Sequence, residues 1–597
     1  MRWWSAPLGA LAIVMAVPAL GLTTEIAGQP LTLTFSETAD LAYHLDQGVV
    51  APGPETPCHQ GLPGFLSRPV RATPSAEYDP TGDCYADWLN RFDAQASWGR
   101  WHAELRFDSA LFGNAPSVSN PNASAENLHL ATLLENRYTN NLVVEKISAS
   151  YLGDRLDLTL GDFYIAYGRG LVLSLTKIDA LGVDTTLRGA SVTGHFGGFS
   201  ANVAAGVTNV VNTDESTGEV APDPMDRIVA GRLEYRWPRV LTIGVDGAGI
   251  YQNPATAALS SYTPGQPVVQ LPLAPLALGS VTSQPPQAIP GGLWNTDNGS
   301  VTLELPRLGD VGKLYLEYAH QVQWVGNELR PEGNAFYGSL SLFFGPATLL
   351  IEGKDYQNFS SPLPPSLSSQ MFPAFWQQNV YTNAPTLEES FQEEYYPVYS
   401  IAGPRLRVDV AVTDWLTPYA SAAYFADDTN GYDIADGFLG LDAHWQDRRS
   451  HASLAAGRRI ATFNGVSPTP GAAFQHEWWV QYDLVQVLGP VYSLELEGLH
   501  RRWDEDFFTG HPWTWSYGYL SLRRHEWSLT LGDEYYSQFP SFDRVENPNI
   551  GGSYSPTDRW TFRLFAGGRT AGLRCVNGIC RNYPGFEGAS VEVTARF

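Results

Sequence analysis

Apolar and polar residues take turns, one for one, through many short segments of this chain. From Arg405 to Val412, Leu406, Val408, Val410 and Val412 fall on one side, and Arg405, Arg407 and Asp409 on the other. Leu156, Leu158 and Leu160 alternate with Asp157 and Thr159, and Val301, Leu303 and Leu305 with Thr302 and Glu304. Tyr492, Leu494 and Leu496 alternate with Ser493, Glu495 and Glu497. A period of two predicts β-strands with one greasy and one wet face.

The connections alternate too. Leu152-Gly153-Asp154, Phe196-Gly197-Gly198, Trp237-Pro238-Arg239, Gly345-Pro346, Gly489-Pro490 and Ser555-Pro556-Thr557-Asp558 carry the residues that tight turns need. Between them lie long, Pro- and Asn-rich stretches such as 114–141, 253–298 and 358–403. Short turns on one side and long loops on the other predict an all-β fold. It is a single large transmembrane antiparallel β-barrel with short periplasmic turns and long extracellular loops. The segments number roughly 24, within a range of about 22–26. The first starts near Leu31 and the last runs from about Gly585 to Phe597. In that last segment Val591, Val593, Ala595 and Phe597 share a face, and a terminal aromatic is the kind of signal read by the outer-membrane barrel assembly machinery. A soluble propeller would repeat every ~40–50 residues, and no such repeat is present.

The N-terminus carries an apolar run, Ala6 to Leu20, behind Arg2. It is short for a membrane helix and fits a signal peptide. Residues 1–24 are assigned to it, with cleavage between Gly21 and Gly28, and residues 25–597 to the barrel. The first strand follows so soon that no N-terminal plug is expected. The expected location is the bacterial outer membrane.

Composition narrows the partners. A net charge of -25 disfavours nucleic acid. The expected partners are outer-membrane lipid and lipopolysaccharide. Among the aromatics, Trp98, Trp101, Trp237, Trp415, Trp478, Trp479, Trp503, Trp527 and Trp560 lie near predicted strand ends and suit a headgroup girdle. Cys58, Cys84, Cys575 and Cys580 form an even, sparse set in an exported chain, which points to two disulfides. The local pairs Cys58–Cys84 and Cys575–Cys580 are favoured. Barrel closure makes the first and last outer loops neighbours, so cross-pairing stays open.

The polar faces predict a charged lumen: Arg155, Asp157, Arg169, Arg188, Glu304, Glu317, Arg405, Arg407, Asp409, Asp483, Glu495, Glu497, Glu592 and Arg596. A wide barrel needs narrowing. The stretches 253–298 and 358–403 are the candidate constrictions, the second carrying Phe372, Phe375, Trp376, Tyr381, Tyr395 and Tyr396.

Two stretches are distinctive. One is Gly161-Asp162-Phe163-Tyr164-Ile165-Ala166-Tyr167-Gly168-Arg169-Gly170-Leu171-Val172-Leu173, followed by Gly182-Val183-Asp184 and Leu187-Arg188-Gly189-Ala190. The other runs from Gly572 through Cys575 and Cys580 to Arg581. Both resemble a family of large outer-membrane β-barrel proteins of Bacteroidota and related bacteria whose function is uncharacterised. The resemblance implies location and architecture and brings no catalytic residue or cofactor. The glycines around Arg169 and Arg188 allow close backbone approach. The two arginines suit either an anionic ligand or luminal carboxylates.

No nucleophile elbow, His-Glu-x-x-His, phosphate loop or dinucleotide fingerprint occurs in a credible context, so no enzyme, cofactor or metal is expected. Asp427, Asp428, Asn430, Asp433 and Asp436 read as an Asn-Gly turn rather than a completed calcium loop. The expected function is a channel or gated pore for polar or amphipathic solutes. The alternative is a structural or surface-interaction barrel whose loops bind a partner, polysaccharide or lipopolysaccharide.

Overall fold

The computed structural model describes residues 22–44, 85–113, 140–178, 182–208, 212–213, 220–221, 226–251, 294–326, 328–359, 381–382, 400–427, 431–463, 474–505, 511–537, 545–570, 572–576, 579–583 and 586–597. Cys58, Cys84 and nearly all of the two expected constriction loops lie outside them.

Among the described residues, 24 strands form the wall. They are β1 (Gln29–His44), β2 (Tyr85–Trp98), β3 (Trp101–Gly113), β4 (Asn141–Leu152), β5 (Leu156–Phe163) and β6 (Leu187–Phe196). Next come β7 (Phe199–Thr208), β8 (Arg227–Trp237), β9 (Leu241–Tyr251), β10 (Trp294–Leu305), β11 (Gly312–Val325) and β12 (Gly333–Phe344). Then follow β13 (Ala347–Gln357), β14 (Ile401–Val410), β15 (Leu416–Asp427), β16 (Tyr432–Trp445), β17 (Ser450–Phe463) and β18 (Phe474–Val487). The wall ends with β19 (Tyr492–Glu505), β20 (Trp513–Arg524), β21 (Trp527–Tyr536), β22 (Val545–Thr557), β23 (Trp560–Arg569) and β24 (Phe586–Arg596). Each pairs antiparallel with its chain neighbours. β24 closes on β1, from Ser36 opposite Arg596 to His44 opposite Gly588. Closure leaves no open edge in the wall. Leu22–Ile26 adds a short hairpin arm to the start of β1.

The alternation sets the two faces. Leu158, Val192 and Val203 stand side by side on β5, β6 and β7 and point outward. Leu233, Val245, Val301, Leu406, Leu439, Leu454, Leu531 and Leu564 are exposed in the same way around the circumference. An apolar belt of this extent is stable only against lipid. Its lower rim carries Trp101, Trp237, Trp415 and Phe199, and its upper rim Tyr318, Phe336, Tyr424 and Trp478. The short turns bring glycine where the chain must reverse with positive φ, as at Gly197 (63°) and Gly345 (58°). Trp479 and Trp503 depart from the expected girdle: both are luminal and buried, because each sits one position out of phase with the outward set.

The expectation of a barrel with no plug needs correction, because the lumen holds part of the chain. β5 and β6 are short, and the described parts of their connection, 164–178 and 182–186, turn into the barrel instead of away from it. Leu171, Val172 and Leu173 on this strap have no solvent exposure. They join a cluster with Ala204 of β7, Ile228 of β8, Ile250 of β9, Ala319 of β11, Ala335 of β12 and Phe425 of β15. The residues ahead of Leu22 lie outside the described set, so the structure gives no support to an absent N-terminal plug.

Candidate functional site: the luminal strap and its charged wall

The strap is held by polar contacts along its length. At one end Asp184 accepts hydrogen bonds from Arg106 of β3 (3.0 Å) and Tyr164 (2.6 Å), and pairs with Lys146 of β4. Burial alone pushes the Asp184 carboxyl up, but Lys146, Tyr164 and Arg106 outweigh it and hold the group below its ordinary range. Burial, with Asp184 alongside, pushes the Tyr164 phenol up, so it stays a donor.

At the centre, Gly168 and Gly170 have φ of +57° and +96°. A Cβ on Gly168 would come within 2.5 Å of the Glu317 carboxylate. Glycine is required there both for the left-handed backbone and for this close approach. Glu317, fully buried on β11, accepts the Arg169 backbone N–H at 2.8 Å and the Tyr315 hydroxyl at 2.6 Å. The Arg169 guanidinium lies over the Tyr315 ring, 4.8 Å from its centroid. Tyr167 donates to Asn202 (2.5 Å), and Asn298 donates to the Val172 carbonyl (3.1 Å). Ser174 donates its backbone N–H to the Tyr381 carbonyl, and the Tyr381 hydroxyl donates to Asp226. Tyr381 is thus one described residue of an expected constriction loop that does enter the lumen.

The other expected luminal residues fall as follows. Arg188 binds the Asp162 carboxylate through Nε and Nη2, at 2.8 Å for the shortest contact. Arg405 reaches Glu352 at 3.3 Å. Arg407 pairs with Asp409 two positions along β14, at 2.9 Å. Asp157 shares a hydrogen bond with His195, and Asp483 one with His451. Glu495 pairs with Arg523, and Glu592 with Arg563. Glu497 stands opposite Asp483 in register. Glu304 and Arg596 are exposed on inward positions near the periplasmic rim. Arg155 is exposed in the turn before β5, because the strand begins only at Leu156. Arg169 lies within the lumen on the strap, over the Tyr315 ring of the wall.

Sequence reasoning missed a larger set. Arg106, Lys146 and Asp184 are described above. Arg459 bridges Asp436 (3.1 Å) and Glu477 (2.9 Å), and Glu477 also accepts from Arg501 (2.6 Å). The signal that could have found Arg459, Glu477 and Arg501 is the period of two along β17, β18 and β19, which puts them on the same face as Asp483, Glu495 and Glu497. The strap had its own signal: alternation stops after Phe163 and resumes at Leu187, with glycines and an unbroken Leu171-Val172-Leu173 run between. Cys575 and Cys580 face each other in backbone register across the hairpin Gly572–Val576/Ile579–Tyr583.

The closed antiparallel barrel, its greasy belt and its polar, charged lumen define an outer-membrane β-barrel protein, located in the bacterial outer membrane. No family model and no curated protein matches the chain. Solved structures show a loose likeness. The siderophore receptor PirA from Pseudomonas aeruginosa aligns at a TM-score of 0.43 and 10% identity, over 95% of this chain and 80% of that one. The P pilus usher (PapC) translocation pore aligns at 0.37 and 9% identity, over 95% and 99%. The alcaligin outer-membrane receptor FauA from Bordetella pertussis aligns at 0.37 and 10% identity, over 97% and 77%. Likeness at this level carries no argument about function.

Proposed function

We propose that the protein is an outer-membrane channel for polar or amphipathic solutes, with its lumen narrowed by the 164–186 strap. One observation carries the reading. The strap's buried cluster engages the wall from β7 to β17, while inward residues of β19–β21 such as Glu497 and Trp515 stay partly exposed. Wide barrels use their inward face for passage and an inward-folded segment to restrict it. Mixed, largely paired charges suit hydrated polar solutes better than a single-sign ion filter. Outer-membrane lipid and lipopolysaccharide are the proposed surroundings, and the barrel assembly machinery the proposed route of insertion. The resemblance to the Bacteroidota-type barrel family is part of the same proposal. The test is conductance of the purified, folded protein in planar bilayers. Stable unitary steps are expected. Electrical silence from protein shown to be folded overturns the channel reading.

A further inference from the structure

On most of the wall, inward positions are small or polar: β10 presents Thr296, Asn298, Ser300, Thr302 and Glu304. β20 breaks this rule. Leu520 and Leu522 face outward, and the opposite set, Trp513, Trp515, Tyr517 and Tyr519, faces the lumen. Four successive inward positions of one strand are therefore aromatic. With inward neighbours spaced about 6.7 Å apart along a strand, the rings form a file of roughly 20 Å.

All four rings are half-buried, in contrast to the fully covered residues under the strap. Their arrangement is ordered. Trp515 and Tyr517 are 5.9 Å apart and Tyr517 and Tyr519 are 5.6 Å apart, centroid to centroid. At the top, Trp513 stacks on Trp503 at 3.6 Å. Tyr519 lies against Gly532 of β21, where a Cβ would come within 2.4 Å of the ring, so the ring rests flat along the wall. Polar groups flank the file on both sides. The Arg501 guanidinium lies over the Trp503 and Trp515 rings, at 4.7 and 5.7 Å. Glu497 is opposite Tyr519, and Glu534 is opposite Tyr517 and accepts from the Tyr519 hydroxyl.

The geometry points to a binding track for a linear oligosaccharide along β20. A pyranose has an apolar C–H face that packs on an aromatic ring, and a rim of hydroxyls that needs charged or polar partners beside it. A row of half-exposed rings in line, with the exposed Glu497 carboxylate beside it and the buried Arg501 and Glu534 fixing the rings in place, meets both needs over several sugar units. A metal ion would need converging oxygens instead of rings, and an apolar chain would bury the exposed Glu497 carboxylate without compensation. The inference deepens the channel reading and rests on it for the ligand's path.

The test uses the full folded protein and two probes, the α-1,4-linked and β-1,4-linked glucose hexamers, read by calorimetry and tryptophan fluorescence. Saturable binding of at least one hexamer is expected, tighter than that of its disaccharide. The Trp515→Ala/Tyr517→Ala variant is expected to bind about tenfold or more weakly, while Trp515→Phe/Tyr517→Phe keeps most of the affinity because it keeps the rings. Folding is checked by heat-modifiable gel mobility, and if the double alanine variant fails that check, Tyr517→Ala alone decides. The inference is overturned if neither hexamer binds the native protein, if alanine leaves binding unchanged, or if phenylalanine costs as much as alanine. A conducting protein that binds neither hexamer loses the track and keeps the channel. A protein that binds a hexamer but never conducts loses the channel and keeps the track.

Discussion

Arg169 and Glu317 are 148 positions apart in the chain, yet the backbone N–H of one donates to the carboxylate of the other at 2.8 Å. This single contact fastens the middle of the strap to β11. The same carboxylate also takes the hydroxyl of Tyr315, two positions away on β11, so the wall itself orients the group that receives the strap.

Replacing Gly168 tests that fastening. Gly168→Ala puts a methyl group against the Glu317 carboxylate and a non-glycine residue at φ +57°. The expected local cost is about 1–3 kcal/mol, confined to the strap because the wall is untouched. Faster cleavage within 164–186 under limited proteolysis, with unchanged heat-modifiable mobility, is the expected result. Protease resistance equal to the native protein would falsify the fastening.

Acid should loosen the strap's other end. Asp184 is held below its ordinary value of 3.8 by Lys146, Tyr164 and Arg106, against the upward push of burial. A group depressed on folding contributes its full stabilisation above its unfolded value, and loses it as pH falls through the lower folded one. Single-channel conductance should therefore stay flat from about pH 8 to 5 and rise only below about pH 4. Asp184→Asn should show the raised conductance already at neutral pH. A rise between pH 8 and 6 in the native protein argues that some other group holds the strap.

The outward belt is open to a direct trial. Leu439, in the middle of β16, is 70% exposed and has lipid as its only suitable surroundings. Leu439→Arg should destabilise the barrel by about 2–4 kcal/mol in equilibrium unfolding from bilayers, the cost of a cation near the midplane. No loss of stability would place Leu439 away from lipid and reverse the faces.

Trp478 and Trp479 are adjacent in sequence and lie on opposite faces of β18, the first 37% and the second 8% exposed. Two versions of the protein, each with the other residue changed to Phe, separate them. Measured as the difference from the Trp478→Phe/Trp479→Phe protein, which keeps the other 16 of the 18 tryptophans, Trp478 should add quenching by bromine carried on lipid chains and Trp479 should add none. Equal quenching from both positions contradicts the register of β18.

Much of this molecule was readable one strand at a time. Leu406 and Arg407, or Leu496 and Glu497, part to lipid and lumen because successive side chains on a strand point opposite ways, a rule that needs no knowledge of neighbours. The strand number, the closure of the last strand on the first, and the outward belt follow from repeating it. The destination of 164–186 did not follow. Its glycines announced tight backbone contact, but the partners, Glu317, Asn298 and Tyr381, are brought beside it only when the cylinder closes. The same holds for Lys146 with Asp184 and for Arg459 between Asp436 and Glu477, since pairing across strands depends on register and distance around the wall. Trp479 and Trp503 show the boundary between the two kinds of information. Position near a strand end suggested lipid headgroups, whereas phase along the strand, settled by the assembled sheet, turned both rings into the lumen.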